Sequence, residues 1–358
     1  MVRIGIFDPY LDTLSGGEKY MLSIASCLAQ EHDVFIFWDK DKETEIKKTT
    51  LRKLGIDLSS VKFYNNIFDK NISTVFRFFE SKKFDAIIYL SDGSIPFVGT
   101  KLFVHFQFPI VWADGEFFKT KIKLFFVKNI FCNSYFTKSF IDKKLNINSK
   151  IIYPPIIMPE FRKVDKENII IHVGRFGINL EGENYKKQDV MVNAFKKMVD
   201  DNLTDWKFIL VIGSRKEDEV KLQQLKSLTK GYSIEIINNP SNNVLWEQYA
   251  KAKIYWHATG YGEDLQKYPE KAEHFGISTV EAMGAGCVPV VLNAGGQREI
   301  VENGKSGYLW NTLVDFAEKT NSLIKDEELW GKMSKEAVER SKMFTGNRFC
   351  REIKDIIG

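Results

Sequence analysis

The run Glu273–Val291, EHFGISTVEAMGAGCVPVV, is the most informative stretch of this chain for its fold. It consists of a loop with a glycine, the start of a helix, a glycine turn and a short apolar strand. Short apolar runs bounded by glycine turns predict strands that are buried on both faces of a parallel sheet. A loop that enters a helix N-terminus offers free backbone N–H groups and the positive end of the helix dipole. The stretch therefore predicts an α/β fold with an anion-binding loop.

Two carboxylates, Glu273 and Glu281, bracket this loop. Carboxylates on either side of a bound phosphate could accept hydrogen bonds from sugar and ribose hydroxyls, so the pair predicts a nucleotide-sugar site. Structural alternatives remain open for each residue. Ser278-x-x-Glu281 fits a capping box, in which Glu281 would bind the Ser278 amide. Glu273 and His274 fit an exposed loop without a function.

Short apolar runs alternate with helical patterns along the rest of the chain, which predicts two β-α-β series. The strands predicted in the first half are 2–7, 33–38, 61–64, 85–90, 102–106 and 129–132. Those predicted in the second half are 169–173, 208–212, 233–237, 254–257, 288–292 and 307–310. We expect two Rossmann-like, doubly wound domains that face a central cleft, with ligands beyond the carboxyl ends of the strands.

The length of 358 residues favours two domains over one. Prolines and a charged stretch between residues 154 and 167 suggest the boundary. We expect an N-terminal acceptor domain at 1–160 and a C-terminal donor domain at 161–335. Residues 336–358 are expected to form a C-terminal helix that crosses back to the first domain.

Composition excludes several classes of protein. The four cysteines, Cys27, Cys132, Cys287 and Cys350, have no C-x-x-C spacing, which argues against a zinc site and a disulfide framework and favours a reducing, cytoplasmic compartment. The start MVRIGIFD predicts a first strand rather than a signal peptide. No apolar run approaches the roughly 20 residues that a membrane-spanning helix needs.

A mild basic bias is concentrated in residues 117–150, which hold eight lysines and one aspartate. This bias is too weak to predict nucleic-acid binding. Aromatic residues and lysines alternate in the segment 117–128, which is typical of a helix lying on a membrane surface. A half-buried helix with a solvated lysine face is the alternative.

Three further groups of residues are candidates for a site. Gly16 and Gly17 precede a helix, where backbone can approach a ligand closely, although Ser15-x-x-Glu18 also fits a capping box. Arg175 and Lys186 follow one predicted strand and would place two cations at its carboxyl edge. His105 is predicted to end a strand and to face the cleft, whereas His172 and His257 fit core or strand-end positions.

These motifs occur in one order along nearly the whole chain: Gly16-Gly17, His105, Gly174-Arg175 with Lys186, Glu273–Glu281, and Gly295-Gly296-x-x-Glu299. In this order they resemble the retaining nucleotide-sugar glycosyltransferases of family 4, which have the GT-B fold. The segment 186–195 looks like the family's Lys-Gly-x-Asp helix start, but Lys187 stands where the family has glycine. Several segments, HFQFP at 105–109 among them, are similar to α-mannosyltransferases of lipid-linked oligosaccharide or polysaccharide assembly.

The resemblance implies a role for each matched residue. Arg175 and Lys186 would bind the diphosphate in place of a metal ion, and Gly16 and Gly17 would close over it. Glu273 and His105 would contact the donor sugar, and Glu281 the ribose. The remaining donor-binding residues are implied by their backbone or position: Gly174, His274, Phe275, Gly276 and Ile277.

The expected function is therefore metal-independent, retaining transfer of a hexose, with GDP-mannose as the first donor to test. The acceptor would be a glycan or a lipid-linked glycan. Two alternatives stay open: another GT-B enzyme, such as a UDP-sugar transferase, epimerase or phosphorylase, and a non-catalytic subunit that binds a sugar nucleotide. No cofactor is expected beyond the donor, and a peripheral membrane contact through 117–128 is an additional hypothesis.

Overall fold

The computed structural model describes residues 1–13, 16–110, 117–159, 164–176 and 184–358. The chain divides into two compact units. The first unit comprises Met1–Ile157 together with Phe344–Gly358, and the second comprises Met158–Met343.

A parallel sheet of seven strands forms the centre of the first unit, in the order β3-β2-β1-β4-β5-β6-β7. Short, mostly apolar segments form these strands because helices cover both faces of the sheet. The strands are β1 (Arg3–Phe7), β2 (Asp33–Phe37), β3 (Lys62–Tyr64), β4 (Ala86–Leu90), β5 (Lys101–Phe106), β6 (Val127–Cys132) and β7 (Lys150–Ile151).

Six helices belong to the described part of the first unit: α1 (Gly16–Leu28), α2 (Glu43–Leu54), α3 (Thr74–Ser81), α4 (Phe117–Phe125), α5 (Tyr135–Leu145) and α13 (Gly346–Ile357). The last helix packs into the core that also holds β1 and α1, through its buried residues Phe349, Ile353 and Ile356. The first unit is therefore completed by the last segment of the chain.

A second parallel sheet of six strands forms the centre of the second unit, in the order β10-β9-β8-β11-β12-β13. Its strands are β8 (Glu167–Arg175), β9 (Lys207–Gly213), β10 (Ile234–Asn238), β11 (Ala252–His257), β12 (Val288–Leu292) and β13 (Tyr308–Trp310). The helices are α6 (Gln188–Asp200), α7 (Glu219–Leu228), α8 (Asn242–Lys251), α9 (Ile277–Gly284), α10 (Gln297–Ile300), α11 (Leu313–Lys325) and α12 (Glu327–Ser341).

The predicted α/β fold with two doubly wound sheets is confirmed. All twelve predicted strands are present, with ends that differ by up to two residues. Only β7 was missed, because its two residues are too few to form an apolar run. In both sheets the strand order reverses beside the first strand of the unit, between β1 and β4 and between β8 and β11. Ligands of such sheets bind at this switch point.

One expectation about the cysteines is wrong. Cys27 of α1 and Cys350 of α13 form a disulfide, with their Cα atoms 5.6 Å apart. Local spacing could not predict this pair, because 323 residues separate its members. Cys132 and Cys287 are free and buried.

Candidate functional site

The carboxyl ends of β8 and β11 carry the main group of candidate residues, at the switch point of the second sheet. β8 ends in Gly174 and Arg175, and β11 ends in His257. Gly174 lies close to the ring of His172, since a Cβ at Gly174 would be 3.1 Å from Nε2 of that ring. The residues selected from sequence motifs therefore lie at the switch point of the sheet.

Lys186, Glu273 and His257 form a compact cluster at this edge. The Lys186 ammonium lies 2.8 Å from Oε2 of Glu273, and Nε2 of His257 lies 3.0 Å from the same oxygen. Thr259 places its hydroxyl 3.1 Å from that histidine nitrogen. Two residues of the predicted site are therefore brought together, and His257, which was interpreted as structural, joins them.

The protonation states in this cluster follow from burial and charge. Burial alone would raise the pKa of Glu273, but the Lys186 charge and the hydrogen bond from His257 outweigh burial and hold this pKa well below 4.5. Burial lowers the pKa of His257, so the ring is neutral. Because an ionised carboxylate only accepts, His257 carries its proton on Nε2 and donates it to Glu273.

Glycines fix the backbone around Glu273. Gly276 precedes α9 with φ of 118°, a conformation that favours glycine. Gly295, after β12, has φ of 58°, and a Cβ there would collide with the carbonyl oxygen of Glu273. The Gly296 amide donates to that oxygen at 2.8 Å. The GG motif at 295–296 thus holds the loop that carries Glu273.

The start of α9 presents backbone amides rather than side chains. Phe275 buries its ring in the protein, so its contribution to a ligand site is limited to the backbone. Ile277 begins the helix, and the first N–H groups of a helix have no intrahelical acceptor. This arrangement suits a phosphate or a sugar hydroxyl.

Glu281 is buried in α9 and accepts a hydrogen bond from the Tyr249 hydroxyl at 3.3 Å. The capping-box alternative for Glu281 does not hold, because the N-cap of α9 is Gly276 and no side chain caps this helix. Ser278 instead lies inside the helix, with its hydroxyl 2.8 Å from that of Tyr255. The glycine moves the helix start two residues before the position that a capping box needs.

Arg175 and His274 lie within electrostatic reach of one another at the same edge. Burial, the largest influence, lowers the pKa of His274 to about 4, and Arg175 contributes in the same direction. Nε2 of His274 donates a hydrogen bond to the Glu270 carbonyl oxygen at 3.2 Å. His274 is therefore a neutral ring held by the loop before Glu273.

Lys187 stands where the family has glycine, and it takes a backbone conformation that favours glycine. It is the N-cap of α6 and has φ of 56°, in the left-handed region. A residue with a Cβ is disfavoured there by roughly 1–2 kcal/mol. The ammonium of Lys187 pairs with Glu263 at 2.6 Å, and Lys271 binds the same carboxylate at 2.9 Å. These ion pairs offset part of the backbone cost.

In the first unit, Gly16 and Gly17 are the first two residues of α1, whereas the sequence placed them before the helix. Ser15, which the capping-box alternative requires, lies outside the described residues. A Cβ at Gly17 would be 2.6 Å from Oε1 of Gln107, so this side chain lies directly against the glycine. Gln107 follows the end of β5, and the sequence analysis did not select it.

His105 does not face solvent. Its ring is fully buried and stacks between Tyr20 at 4.1 Å and Phe131 at 4.7 Å, measured between ring centroids. Burial lowers the pKa of this ring to about 3, and Nδ1 donates to the Phe131 carbonyl at 3.1 Å. Alternation along β5 explains this orientation and also explains Gln107, which continues the same face two residues later, past the strand's end. The predicted contact between His105 and a sugar stays a prediction.

Asp8 is a second candidate site residue that no sequence motif indicated. It follows β1 at the switch point of the first sheet and is buried. Burial and, next, the nearby Glu18 raise the pKa of Asp8 to about 8. Tyr10 donates its amide to Oδ1, whereas Oδ2 has no partner among the described residues. A position directly after the first strand of a doubly wound sheet was the available sequence clue.

The described part of the chain contains neither a cluster of metal ligands nor a membrane-spanning helix. Within it, no group of three or more His, Cys, Asp or Glu side chains could hold a metal ion. No helix among the same residues is both long and apolar enough to cross a membrane.

A family model described as "Glycosyl transferases group 1" matches residues 155–340, more than half of the chain. One curated relative is GDP-Man:Man(3)GlcNAc(2)-PP-Dol alpha-1,2-mannosyltransferase of Dictyostelium discoideum, 23% identical over 99% of this chain and 85% of its own. Another is Alpha-1,3/1,6-mannosyltransferase ALG2 of the same organism, 24% identical over 99% of this chain and 98% of its own.

Solved structures show the same fold at lower identity. Anabaena Alr3699/HepE in complex with UDP superposes with a TM-score of 0.75 at 16% identity, covering 99% of both chains. Sucrose-phosphate synthase from Thermosynechococcus elongatus gives 0.72 at 13% identity, covering 100% of this chain and 98% of its own. The expected GT-B class of fold is confirmed.

Proposed function

Because the chain belongs to the group 1 glycosyl transferases, we propose that it transfers a hexose with retention of configuration from a nucleoside-diphosphate sugar to a glycan or lipid-linked acceptor. Mannose from GDP-mannose is the proposed donor, because both relatives are named as mannosyltransferases and the name of the first contains GDP-Man. The observation that carries this proposal is the Lys186–Glu273–His257 cluster at the switch point of the second sheet.

Arg175 and Lys186 are proposed to bind the diphosphate. Arg175 ends β8 and Lys186 lies before α6, and a phosphate at this edge would also meet the amides that begin α9. Cations at this place would stabilise the charge that develops on the leaving group, without a divalent ion. In the structure Lys186 is held by Glu273, so its ammonium is already positioned beside the carboxylate that we assign to the sugar.

Glu273 and Glu281 are proposed to serve different hydroxyls. Glu273 stays ionised beside Lys186 and would bind the sugar close to its reacting carbon. Glu281, held by Tyr249, would accept hydrogen bonds from the ribose. Other proposed donor contacts are Gly16, Gly17, Gly174, His274, Phe275, Gly276 and Ile277, together with a contact from His105 through its backbone or ring.

The proposed chemistry is attack from the same face of the sugar. The bond between the anomeric carbon and the phosphate oxygen breaks, and the acceptor oxygen forms a bond to that carbon on the same side. The acceptor proton passes to the departing phosphate, so the products are the glycoside and the nucleoside diphosphate. Glu273 would position and stabilise the sugar and is not assigned as a nucleophile.

The first unit is proposed to bind the acceptor. It contains a cavity of about 730 Å³ beyond the carboxyl ends of β1, β2 and β3. An aromatic ring, Trp38, and several carboxylates and amides line it, a combination that suits the apolar face and the hydroxyls of a sugar. The lining residues are Asp12, Trp38, Asp39, Lys42, Glu45, Ile46, Thr49, Lys53, Asn65, Asn66 and Asp69.

A peripheral membrane contact through 117–128 is part of the proposal, whereas the cytoplasmic location expected from the cysteines is not carried into it. Residues Phe117–Phe125 form the expected helix α4. The disulfide between Cys27 and Cys350 runs against a reducing compartment.

A donor screen tests the proposed function. The melting temperature of the chain is measured with GDP-, UDP-, ADP- and dTDP-sugars, since a nucleotide that binds the folded state raises it. We expect GDP-mannose to give the largest shift, and we expect turnover in excess EDTA to yield an α-linked product by NMR. A β-linked product would contradict retention, and a requirement for a divalent ion would contradict the role given to Arg175 and Lys186.

A further inference from the structure

Helix α3 exposes apolar side chains to solvent. Val75, Phe76 and Phe79 are 68%, 52% and 61% exposed. Phe79 lies three residues after Phe76 and four after Val75, and positions three and four residues apart share one face of a helix, so these three side chains form one apolar surface. A cluster of large exposed hydrophobic side chains on one face marks an interaction site.

Further phenylalanines extend this surface. Phe78 stacks on Phe97 at 5.4 Å, and Phe97 meets the edge of Phe126 at 5.6 Å. Phe126 meets Phe125 at 5.7 Å, and these two rings are 55% and 87% exposed. We call Phe76, Phe78, Phe79, Phe97, Phe125 and Phe126 the aromatic face. It connects α3 with the segment between β4 and β5 and with the end of α4.

Lysines surround the aromatic face. The ammonium of Lys82 lies 4.7 Å from the centre of the Phe78 ring and 5.4 Å from that of Phe79. Exposed lysines also stand in the middle of α4, at the start of β5 and in β6: Lys121, Lys101 and Lys128. The acidic residue of α3, Glu80, is paired with Lys83 at 2.6 Å. The charge beside the rings is therefore positive.

The aromatic face lies at the amino edge of the first sheet. Helix α3 precedes β4, Phe97 precedes β5, and Phe126 comes directly before β6. Parallel strands have all their amino ends at one edge, so this edge is opposite the carboxyl edge where Gly17 and Gln107 meet. A partner on the aromatic face would leave the carboxyl edge of this sheet accessible.

We propose that the aromatic face docks the first unit onto an anionic lipid bilayer. The phenylalanine rings enter the headgroup region and the lysines bind lipid phosphates. Lysines near an anionic surface add an electrostatic attraction to the apolar contact. This inference rests on the proposed peripheral membrane contact and extends it from 117–128 to α3 and Phe97. Charge complementarity favours a bilayer over a second copy of the chain, which would bring like charges together.

Flotation with vesicles tests the inference. The wild type is mixed with vesicles of phosphatidylcholine alone or with phosphatidylglycerol added. We expect binding to the anionic vesicles only, weakened by salt because exposed charges are screened. Phe79→Ser with Phe125→Ser should lower the bound fraction about tenfold, and Lys82→Glu should lower it less. The matched control is Val220→Ser with Val314→Ser, where side chains 71% and 68% exposed in the second unit are changed.

Three results would overturn the inference: equal binding of wild type to neutral vesicles, unchanged binding of the phenylalanine variant, or a wild-type dimer that this variant dissociates in sedimentation velocity. Melting temperature with and without GDP-mannose is recorded for every variant. An unchanged donor shift in the phenylalanine variant shows that it is folded. Loss of the donor shift in wild type contradicts the proposed function alone, because vesicle binding is measured without donor.

Discussion

The carboxyl edges of the two sheets share a topology but differ in how their buried charges are balanced. In the second unit, Glu273 is matched by Lys186 and by a proton from His257. In the first unit, the buried Asp8 has Glu18 as its nearby charge, and burial keeps it protonated near neutral pH. Oδ2 of Asp8 and Nε2 of His105 have no partner among the described residues.

This difference indicates which ligand each edge suits. Ionic side chains that are already paired and positioned can bind an anion with little reorganisation, as a diphosphate donor requires. A neutral carboxyl group with an unused oxygen can exchange hydrogen bonds with a hydroxyl, but it offers no positive charge that would attract an anion. The comparison therefore supports the donor in the second unit and a hydroxyl-bearing ligand in the first.

Removing the cation of the second edge should have the largest effect. We expect Lys186→Ala to lower kcat/KM for the donor by about 100-fold to 1,000-fold, as loss of one preorganised charge-stabilising group does. Steady-state kinetics with GDP-mannose measure this. The matched control is Lys187→Ala, which removes only the pair with Glu263 and should change kcat/KM less than about fivefold. Equal losses in both variants would contradict the diphosphate assignment.

The first edge should respond to pH. A carboxyl whose pKa is raised to about 8 on folding binds its proton more tightly in the folded state. Stability from Asp8 is therefore greatest below the unfolded pKa of about 4 and is lost as pH rises toward 8. Asp8→Asn should raise the melting temperature at pH 8 by about 5 °C more than at pH 5. Asp41→Asn, at an exposed position of the same unit, is the control, and a pH-independent difference for Asp8→Asn would contradict the burial argument.

Variants of Gln107 and His105 distinguish a side chain that contacts the ligand from one that stabilises the core of the first unit. Gln107→Ala should lower kcat/KM about tenfold with little change in melting temperature, because it removes one hydrogen-bonding group beside Gly17. His105→Phe keeps the ring stack with Tyr20 and any sugar contact made by the backbone of residue 105, so it should mainly lower the melting temperature. If His105→Phe abolishes turnover at an unchanged melting temperature, His105 contacts the sugar and Gln107 does not replace it.

Trp38 tests the acceptor cavity. Trp38→Ala should raise KM for an acceptor probe, octyl α-mannoside, about tenfold, because a contact of about 1–2 kcal/mol is lost. KM for GDP-mannose should stay unchanged in the same assays. A rise in the donor KM alone would place the cavity outside the acceptor site.

The smallest effect concerns the turn before α6. Gly is free of the left-handed penalty that Lys187 and an alanine both carry, so Lys187→Gly should be about 1 kcal/mol more stable than Lys187→Ala. Urea denaturation measures both. Equal stabilities would show that the turn stores no strain.

The sequence predicted well what depends on local patterning. Apolar runs identified twelve of the thirteen strands among the described residues, and the motifs selected Lys186 and Glu273, which the fold brings together at one edge. Contacts across long stretches of chain were not visible in it. His257 was interpreted as structural because its partner Glu273 reaches it only through the folded loop. His105 was expected to face the cleft because it lies near the carboxyl end of β5. Its position in the alternation between the two faces of the strand, which places the ring in the core, was not considered.

The first unit is interrupted in sequence, and this has a consequence during synthesis. Residues 158–343 leave the ribosome before Phe349, Ile353 and Ile356, which fill the core of the first unit. The second unit can therefore finish folding while the first still lacks one of its helices. A nascent chain stalled before residue 344 would expose apolar surface on α1, and such intermediates are the species that aggregate. Emergence of α13, rather than of the N-terminal half, therefore sets when the first unit becomes complete.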